Sequence, residues 1–181
     1  MGVRRKKSKT HSEDPIDPAT FPLEGAAEEG AALLGVSTSD KPDAIVAAID
    51  EFVFAWQGGK RPPKKRIDPE DVPYMLGSLW GQQLVRKFGW DWKMVTFHEH
   101  GDSTAPGVLS PDRSQAVYPI HFIIGCLQDP KVDATILLGY NMLKAGETCE
   151  VEPGEYFNYM DGVHRIVPRW PDESEKSSRK R

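Results

Sequence analysis

Residues 74–92 read Tyr-Met-Leu-Gly-Ser-Leu-Trp-Gly-Gln-Gln-Leu-Val-Arg-Lys-Phe-Gly-Trp-Asp-Trp, and they contain the change of pattern that decides the fold. As far as Phe88 the apolar residues recur three and four positions apart, which is the spacing of one helix face. Gly89 suits the left-handed cap that ends many helices. From Trp90 to His98 the pattern changes to a period of two, with apolar residues on both faces of a strand. The stretch therefore predicts a helix that leads directly into a central strand.

Small residues interrupt this helix one turn apart, at Gly77, Ser78 and Gly81. A glycine in a helix interior costs about 1 kcal/mol relative to alanine. Two such glycines indicate that another part of the chain packs very closely against this side of the helix.

The rest of the chain adds further helices and short strands. Apolar residues at helical spacing predict a helix over 43–56, which the glycine pair at 58–59 ends. The predicted fold class is α+β, with a small antiparallel β-meander packed against about four helices. The remaining predicted elements are strands at 107–109 and 115–118, helices over 119–128 and 131–144, and a loop after Gly146.

The two ends of the chain differ in composition from its middle. Residues 1–40 are rich in charged residues, proline, glycine and alanine and have few aromatics, which predicts a disordered arm. The polar residues 171–181 predict a disordered tail. The domain organisation predicted is therefore an arm at 1–40, a single α+β domain at 41–170, and a tail at 171–181.

Basic residues concentrate in three short segments, at 1–9, 60–66 and 176–181, which hold 14 of the 23 lysines and arginines. The remainder of the chain is acidic and lacks a continuous basic face, so nucleic-acid binding is not expected beyond weak contacts by the basic tails. The basic start is not followed by the apolar segment of a signal peptide, and no run is long enough to cross a bilayer. These features predict a cytoplasmic protein without a membrane partner.

The His98-Glu99-His100 sequence is the first candidate for chemistry. On a strand both imidazoles would lie on one face, where they could bind a metal with a third ligand from Glu147, Glu152 or His164. A solvated strand end is the favoured interpretation, and a metal-dependent enzyme built on His98 and His100 is the alternative.

No complete catalytic or cofactor motif occurs in the chain. There is no G-x-S-x-G elbow, no G-x-G-x-x-G and no G-x-x-x-x-G-K-[ST], so no cofactor is expected. The two cysteines, Cys126 and Cys149, have neither metal-site nor disulfide spacing and are predicted to be free thiols.

An aromatic segment near the C-terminus is the main candidate for binding a partner, because protein interfaces are enriched in aromatic residues and methionine. A core edge is the alternative for such a cluster. Its four candidate residues are Tyr156, Phe157, Tyr159 and Met160.

The stretch quoted first also resembles a pattern in functionally uncharacterised bacterial domains. They have a helix of the form LG-x3-G-x2-L, as at residues 76–84, then a glycine stop and a strand led by Trp. The resemblance covers about 68–127 and implies a small meander followed by a helix; it implies no activity. Many of these domains have Glu where this chain has Gln82.

Absence of complete motifs favours a non-enzymatic, cytoplasmic, bacterial protein-binding module. An immunity-type or chaperone-like protein is an alternative within this class, because both are small acidic α+β proteins that meet cationic partners.

Overall fold

The computed structural model describes residues 10–61, 67–148 and 150–166, and it confirms the α+β class. A 3₁₀ turn at His98–His100 lies between the second and third strands. In chain order the elements are β1 (His11–Asp14), α1 (Leu23–Leu34), α2 (Pro42–Gln57), α3 (Val72–Phe88), β2 (Asp91–Phe97), β3 (Ser103–Leu109), β4 (Gln115–Val117), α4 (Pro119–Gln128), α5 (Ile136–Ala145), β5 (Phe157–Asn158) and α6 (Tyr159–Ile166).

The five strands form one sheet in the order β1-β2-β3-β4-β5. The predicted meander of β2, β3 and β4 is present and antiparallel. The prediction missed both edges of the sheet. β1 adds to β2 in antiparallel register, with His11 opposite Phe97, and β5 adds to β4 in parallel register, with Gln115 opposite Phe157. The sheet is therefore mixed rather than purely antiparallel.

The first quoted stretch forms α3 and β2 as predicted, and α3 lies at the centre of the helical layer. Its predicted apolar face is buried, with Leu76, Leu79, Trp80 and Leu84 at most 1% exposed. Gly89 closes the helix in the left-handed conformation, at φ 68°. α3 packs against α1, α4 and α2, and this interior holds most of the buried apolar residues of the described chain.

The small residues of α3 lie where the structure requires close approach, as the sequence predicted. A Cβ built at Gly77 would lie 2.5 Å from Cα of Ile120 on α4. A Cβ at Gly81 would overlap the indole ring of Trp92 on β2. The two glycines therefore set the distances from α3 to a second helix and to the sheet.

The prediction of a disordered arm at residues 1–40 is wrong for the part that the structure describes. β1 and α1 both lie in it, and the buried side of α1 consists of Ala26, Ala27, Gly30 and Ala31. These side chains bury little area each, but they let α1 approach α3 so closely that a Cβ at Gly30 would lie 2.6 Å from the carbonyl oxygen of Met75. The predicted tail at 171–181 and residues 1–9 lie outside the described residues.

The helix predicted over 131–144 begins later, at Ile136, because its N-terminus is capped from another helix. The carboxylate of Asp50 on α2 accepts a hydrogen bond from the backbone N–H of Leu137 at 3.0 Å. Burial raises the pKa of Asp50, while the bonds from the backbone N–H groups of Ile136 and Leu137 oppose this rise. The start of α5 is thus set by packing against α2 rather than by its own sequence.

The sheet has a second apolar side, turned away from the main core. Val108 and Val117 join the helical interior, whereas Leu109 and Tyr118 belong to a separate small cluster on the outer face. This alternation is the period of two expected for strands with both faces covered. The outer face carries the candidate functional site. Among the described residues, no helix has the length and apolar character needed to span a bilayer.

Candidate functional site

A cleft of about 560 Å³ lies on the outer face of the sheet. Residues from at least five elements line it, so that it exists only in the folded chain. They include aromatic rings (Phe97, Tyr118, Tyr156), imidazoles (His11, His100, His121), carboxylates (Glu99, Asp161) and the polar side chains of Ser103, Thr104 and Asn158.

Tyr118 is the most buried polar residue that lines the cleft. It follows β4 directly and precedes Pro119, and its ring lies over the strand position left open by Gly107, where a Cβ would be 2.8 Å from Tyr118 Cε1. The residue is 9% exposed, and its hydroxyl oxygen is buried with no hydrogen-bond partner among the described residues. Burial raises the pKa of Tyr118 well above its usual value, so the phenol is neutral.

Stacked rings form one wall of the cleft. His11 stacks on Tyr156, with ring centroids 5.2 Å apart and an interplanar angle of 20°. The His11 ring also contacts Phe97 edge to face, with the same centroid distance and an interplanar angle of 74°. Phe97 in turn lies 5.4 Å from Tyr118. Burial lowers the pKa of His11, although the nearby Glu99 raises it in part.

The backbone at Tyr156 is held in an unfavourable conformation. Its φ is 52°, a left-handed value that costs a non-glycine residue about 1–3 kcal/mol. The N–H of Tyr156 donates to the carbonyl of Arg113 at 2.9 Å. The guanidinium of Arg113 is itself fixed by Glu13, at 3.1 Å, and by Asp91, at 2.8 Å. These bonds hold the aromatic wall in place against its local strain.

Asn158 supplies a second buried polar atom to the cleft. Its Oδ1 has no hydrogen-bond partner within the described part of the chain. Asn158 is the last residue of β5, and Asp161 follows in the first turn of α6. The parallel pairing of β5 with β4 brings both residues next to Tyr118 in the fold.

The structure does not assemble the metal site considered for His98 and His100. The two residues lie in a 3₁₀ turn, not on the predicted strand, and residues two apart in such a turn point in different directions. His100 faces the cleft, while His98 bonds to other partners. His164, one possible third ligand, contacts the carbonyl of Asp133 at 3.2 Å. The described residues contain no group of three or more His, Cys, Asp or Glu that could hold a metal ion.

His98 instead forms a chain of hydrogen bonds with Ser12 and Asp102. Its Nε2 lies 3.0 Å from Ser12 Oγ and its Nδ1 lies 2.6 Å from Asp102 Oδ1. The order of atoms matches the relay of serine hydrolases. None of the three lines the cleft, and the Asp102 side chain is 74% exposed, so water screens its charge. In this position the chain of bonds ties β1 to the turn between β2 and β3.

The four residues proposed to meet a partner do not share one surface. Tyr159 and Met160 are 1% and 2% exposed and belong to the main core, so their assignment to a partner surface is wrong. The Tyr159 hydroxyl donates to the carbonyl of Glu147 at 3.0 Å. Phe157 is half-buried on β5, and of the four only Tyr156 lines the cleft.

Sequence reasoning missed Tyr118, Asn158, His11 and Asp161 as site residues. They come from three separate places in the chain, since only Asn158 and Asp161 are close in sequence, and no local spacing links the three places. The one available signal was the Tyr156 segment, which the sequence did single out. Comparison with protein-family models, with curated proteins and with solved structures finds no match to this chain.

Proposed function

We propose that the protein is a binding module and that the cleft on the outer face of its sheet is the binding site. One observation carries this proposal: the Tyr118 hydroxyl is buried at the cleft and has no partner among the described residues. A buried polar group without a hydrogen bond costs about 1–3 kcal/mol, and a bound ligand would remove that cost. The strained backbone of Tyr156 beside it supports the same interpretation.

The partner we propose is another protein, which inserts a side chain into the cleft. Aromatic rings such as Phe97 and Tyr156 supply contact area typical of interface anchors. The net charge of −4 favours cationic partners over nucleic acid. An immunity-type or chaperone-like protein of the bacterial cytoplasm fits this proposal. The buried free thiol of Cys126 fits a reducing compartment, and burial raises its pKa to about 12, so this thiol is a poor nucleophile.

A fragment library, screened by two-dimensional NMR, tests the cleft as the binding site. We expect the amide resonances of Tyr118, Asn158 and Ser103 to shift together with the same compounds. The variant Ser103→Trp fills the cleft from its exposed rim and should abolish these shifts.

The matched control is Glu51→Trp, which places the same ring on the exposed side of α2. It should leave the fragment shifts unchanged, and both variants should keep the melting temperature of the parent. Shifts that persist in folded Ser103→Trp, or a library that perturbs no cleft resonance, would contradict the proposal.

A further inference from the structure

We infer that the cleft takes an organic cation with N–H donors, of the ammonium or guanidinium type. This inference rests on the proposed function and adds the chemistry of the ligand. It follows from the charges, the ring faces and the unpartnered oxygen atoms that the cleft brings together.

The charged side chains of the cleft are all acidic. Glu99 comes from the 3₁₀ turn and Asp161 from α6, and no lysine or arginine is among the described residues that line the cleft. The guanidinium of Arg113, whose carbonyl accepts from the N–H of Tyr156, is already paired with Glu13 and Asp91. Within the described part of the chain, the cleft therefore presents negative charge that no lysine or arginine of its lining balances.

The aromatic walls favour the same kind of ligand. The faces of Phe97, Tyr118 and Tyr156 carry the negative side of their ring quadrupoles, which attracts cations within about 6 Å of the ring centre. A planar guanidinium can also stack on such rings. A carboxylate or phosphate would meet repulsion from both the rings and the carboxylates.

The buried oxygens decide between classes of cation. Tyr118 Oη and Asn158 Oδ1 both lack partners in the described chain, and both can accept a hydrogen bond. A quaternary ammonium ion has no N–H and would leave these two atoms unsatisfied. A primary ammonium or a guanidinium supplies several N–H donors, so it satisfies the oxygens and the carboxylates together.

The His11 imidazole makes this preference sensitive to pH. His11 lies on β1, His100 on the 3₁₀ turn and His121 on α4, while His98 lies outside the cleft beside them. Burial keeps His11 neutral at pH 7 by lowering its pKa. Protonation of His11 in acid adds positive charge next to Glu99, and this opposes a cationic ligand.

Five probes, most of them matched in chain length, test the inference by NMR titration at neutral pH and low salt: butylguanidinium, butylammonium, tetramethylammonium, butyramide and butyrate. We expect butylguanidinium and butylammonium to bind at least about fivefold more tightly than the other three. Only these two probes carry both a positive charge, which the carboxylates attract, and N–H donors for the oxygen acceptors of the cleft. Acidification below the usual titration range of histidine should weaken both, because His11 then takes up its proton.

Variants at the cleft show which side chains cause the tighter binding of the two cations. Glu99→Gln and Asp161→Asn should each weaken butylguanidinium by about 3- to 10-fold and leave butyramide unchanged. Tyr118→Phe removes the buried oxygen acceptor and should weaken the two N–H cations only. Glu51→Gln, which removes an exposed carboxylate of α2, is the control and should change nothing.

Acetyl-arginine methylamide distinguishes the two sources of such a cation. Binding as tight as that of butylguanidinium supports a side chain of a protein partner, whereas its exclusion supports a free small cation.

If butyramide or butyrate binds in the cleft as tightly as the two cations, the inference is overturned, although the cleft would still be a binding site. If the two cations bind but Glu99→Gln and Asp161→Asn do not weaken them, the inference is also overturned. If none of the five probes and no library fragment shifts the cleft resonances, the proposed function itself fails.

Discussion

Replacing Gly77 by alanine should force α3 and α4 apart. The new Cβ would lie 2.5 Å from Cα and 2.8 Å from the backbone nitrogen of Ile120. Real Cβ atoms do not approach that closely, and backbone atoms cannot rotate away as the end of a flexible side chain can. α4 must therefore move, and with it the position of Tyr118, which directly precedes this helix.

The expected size of the effect follows from two opposing contributions. Alanine is favoured over glycine in a helix interior by about 1 kcal/mol. Overpacking of a well-packed core typically costs about 1–3 kcal/mol. We expect Gly77→Ala to lie near the upper end of this range, because the new Cβ contacts backbone atoms that cannot rotate away. The net loss of unfolding free energy is then about 2 kcal/mol, or about 4–8 °C in Tm for a chain of this size.

The matched control is Gly125→Ala on α4, where an added Cβ meets nothing within 4 Å. At Gly125 only the preference of a helix for alanine over glycine acts, so the free energy of unfolding of this variant should rise by up to about 1 kcal/mol. Urea unfolding followed by tryptophan fluorescence measures both variants against the parent. If Gly77→Ala is as stable as Gly125→Ala, the close approach of α3 and α4 at Gly77 is refuted.

Two further predictions concern β1 and the residues around it. The pKa of His11 is lowered in the fold, so the unfolded chain binds this proton more readily, and the unfolding free energy should fall as the pH drops through about 6.5. His11→Gln should show a smaller fall than the parent in denaturation curves at neutral and acid pH; an equal fall would contradict the assignment to His11. A fluorophosphonate probe should leave Ser12 unlabelled in mass spectra, because the Asp102 carboxylate beside His98 is exposed and the group lies outside the cleft. Labelling that Ser12→Ala and His98→Gln both abolish would instead indicate a serine hydrolase.

The elements that sequence reasoning placed well are those whose reasons are local. The apolar spacing of α3, the cap at Gly89 and the change of period at β2 all lie within about twenty consecutive residues. Even the close packing at Gly77 and Gly81 could be inferred, because glycine in a helix interior carries a cost that needs a compensating reason.

The errors fall where a neighbour in space decides the structure. α1 buries mainly alanines and a glycine, and composition alone does not distinguish such a helix from a disordered arm. The helix at Ile136 begins where Asp50 of α2 meets its N-terminus. The strand expected to carry both histidines ends at Phe97, where the pairing of β2 with β3 also ends and the chain turns.

The sequence by itself determined the α+β class, the central helix and strand, and the absence of a complete catalytic or cofactor motif. It did so because helix and strand periods, caps and turns depend on residues close together in the chain. Only the tertiary structure decided that Tyr118, Asn158, His11 and Asp161 share one cleft. Their approach depends on strand order and on the parallel pairing of β5 with β4, which join residues far apart in sequence and leave no local pattern.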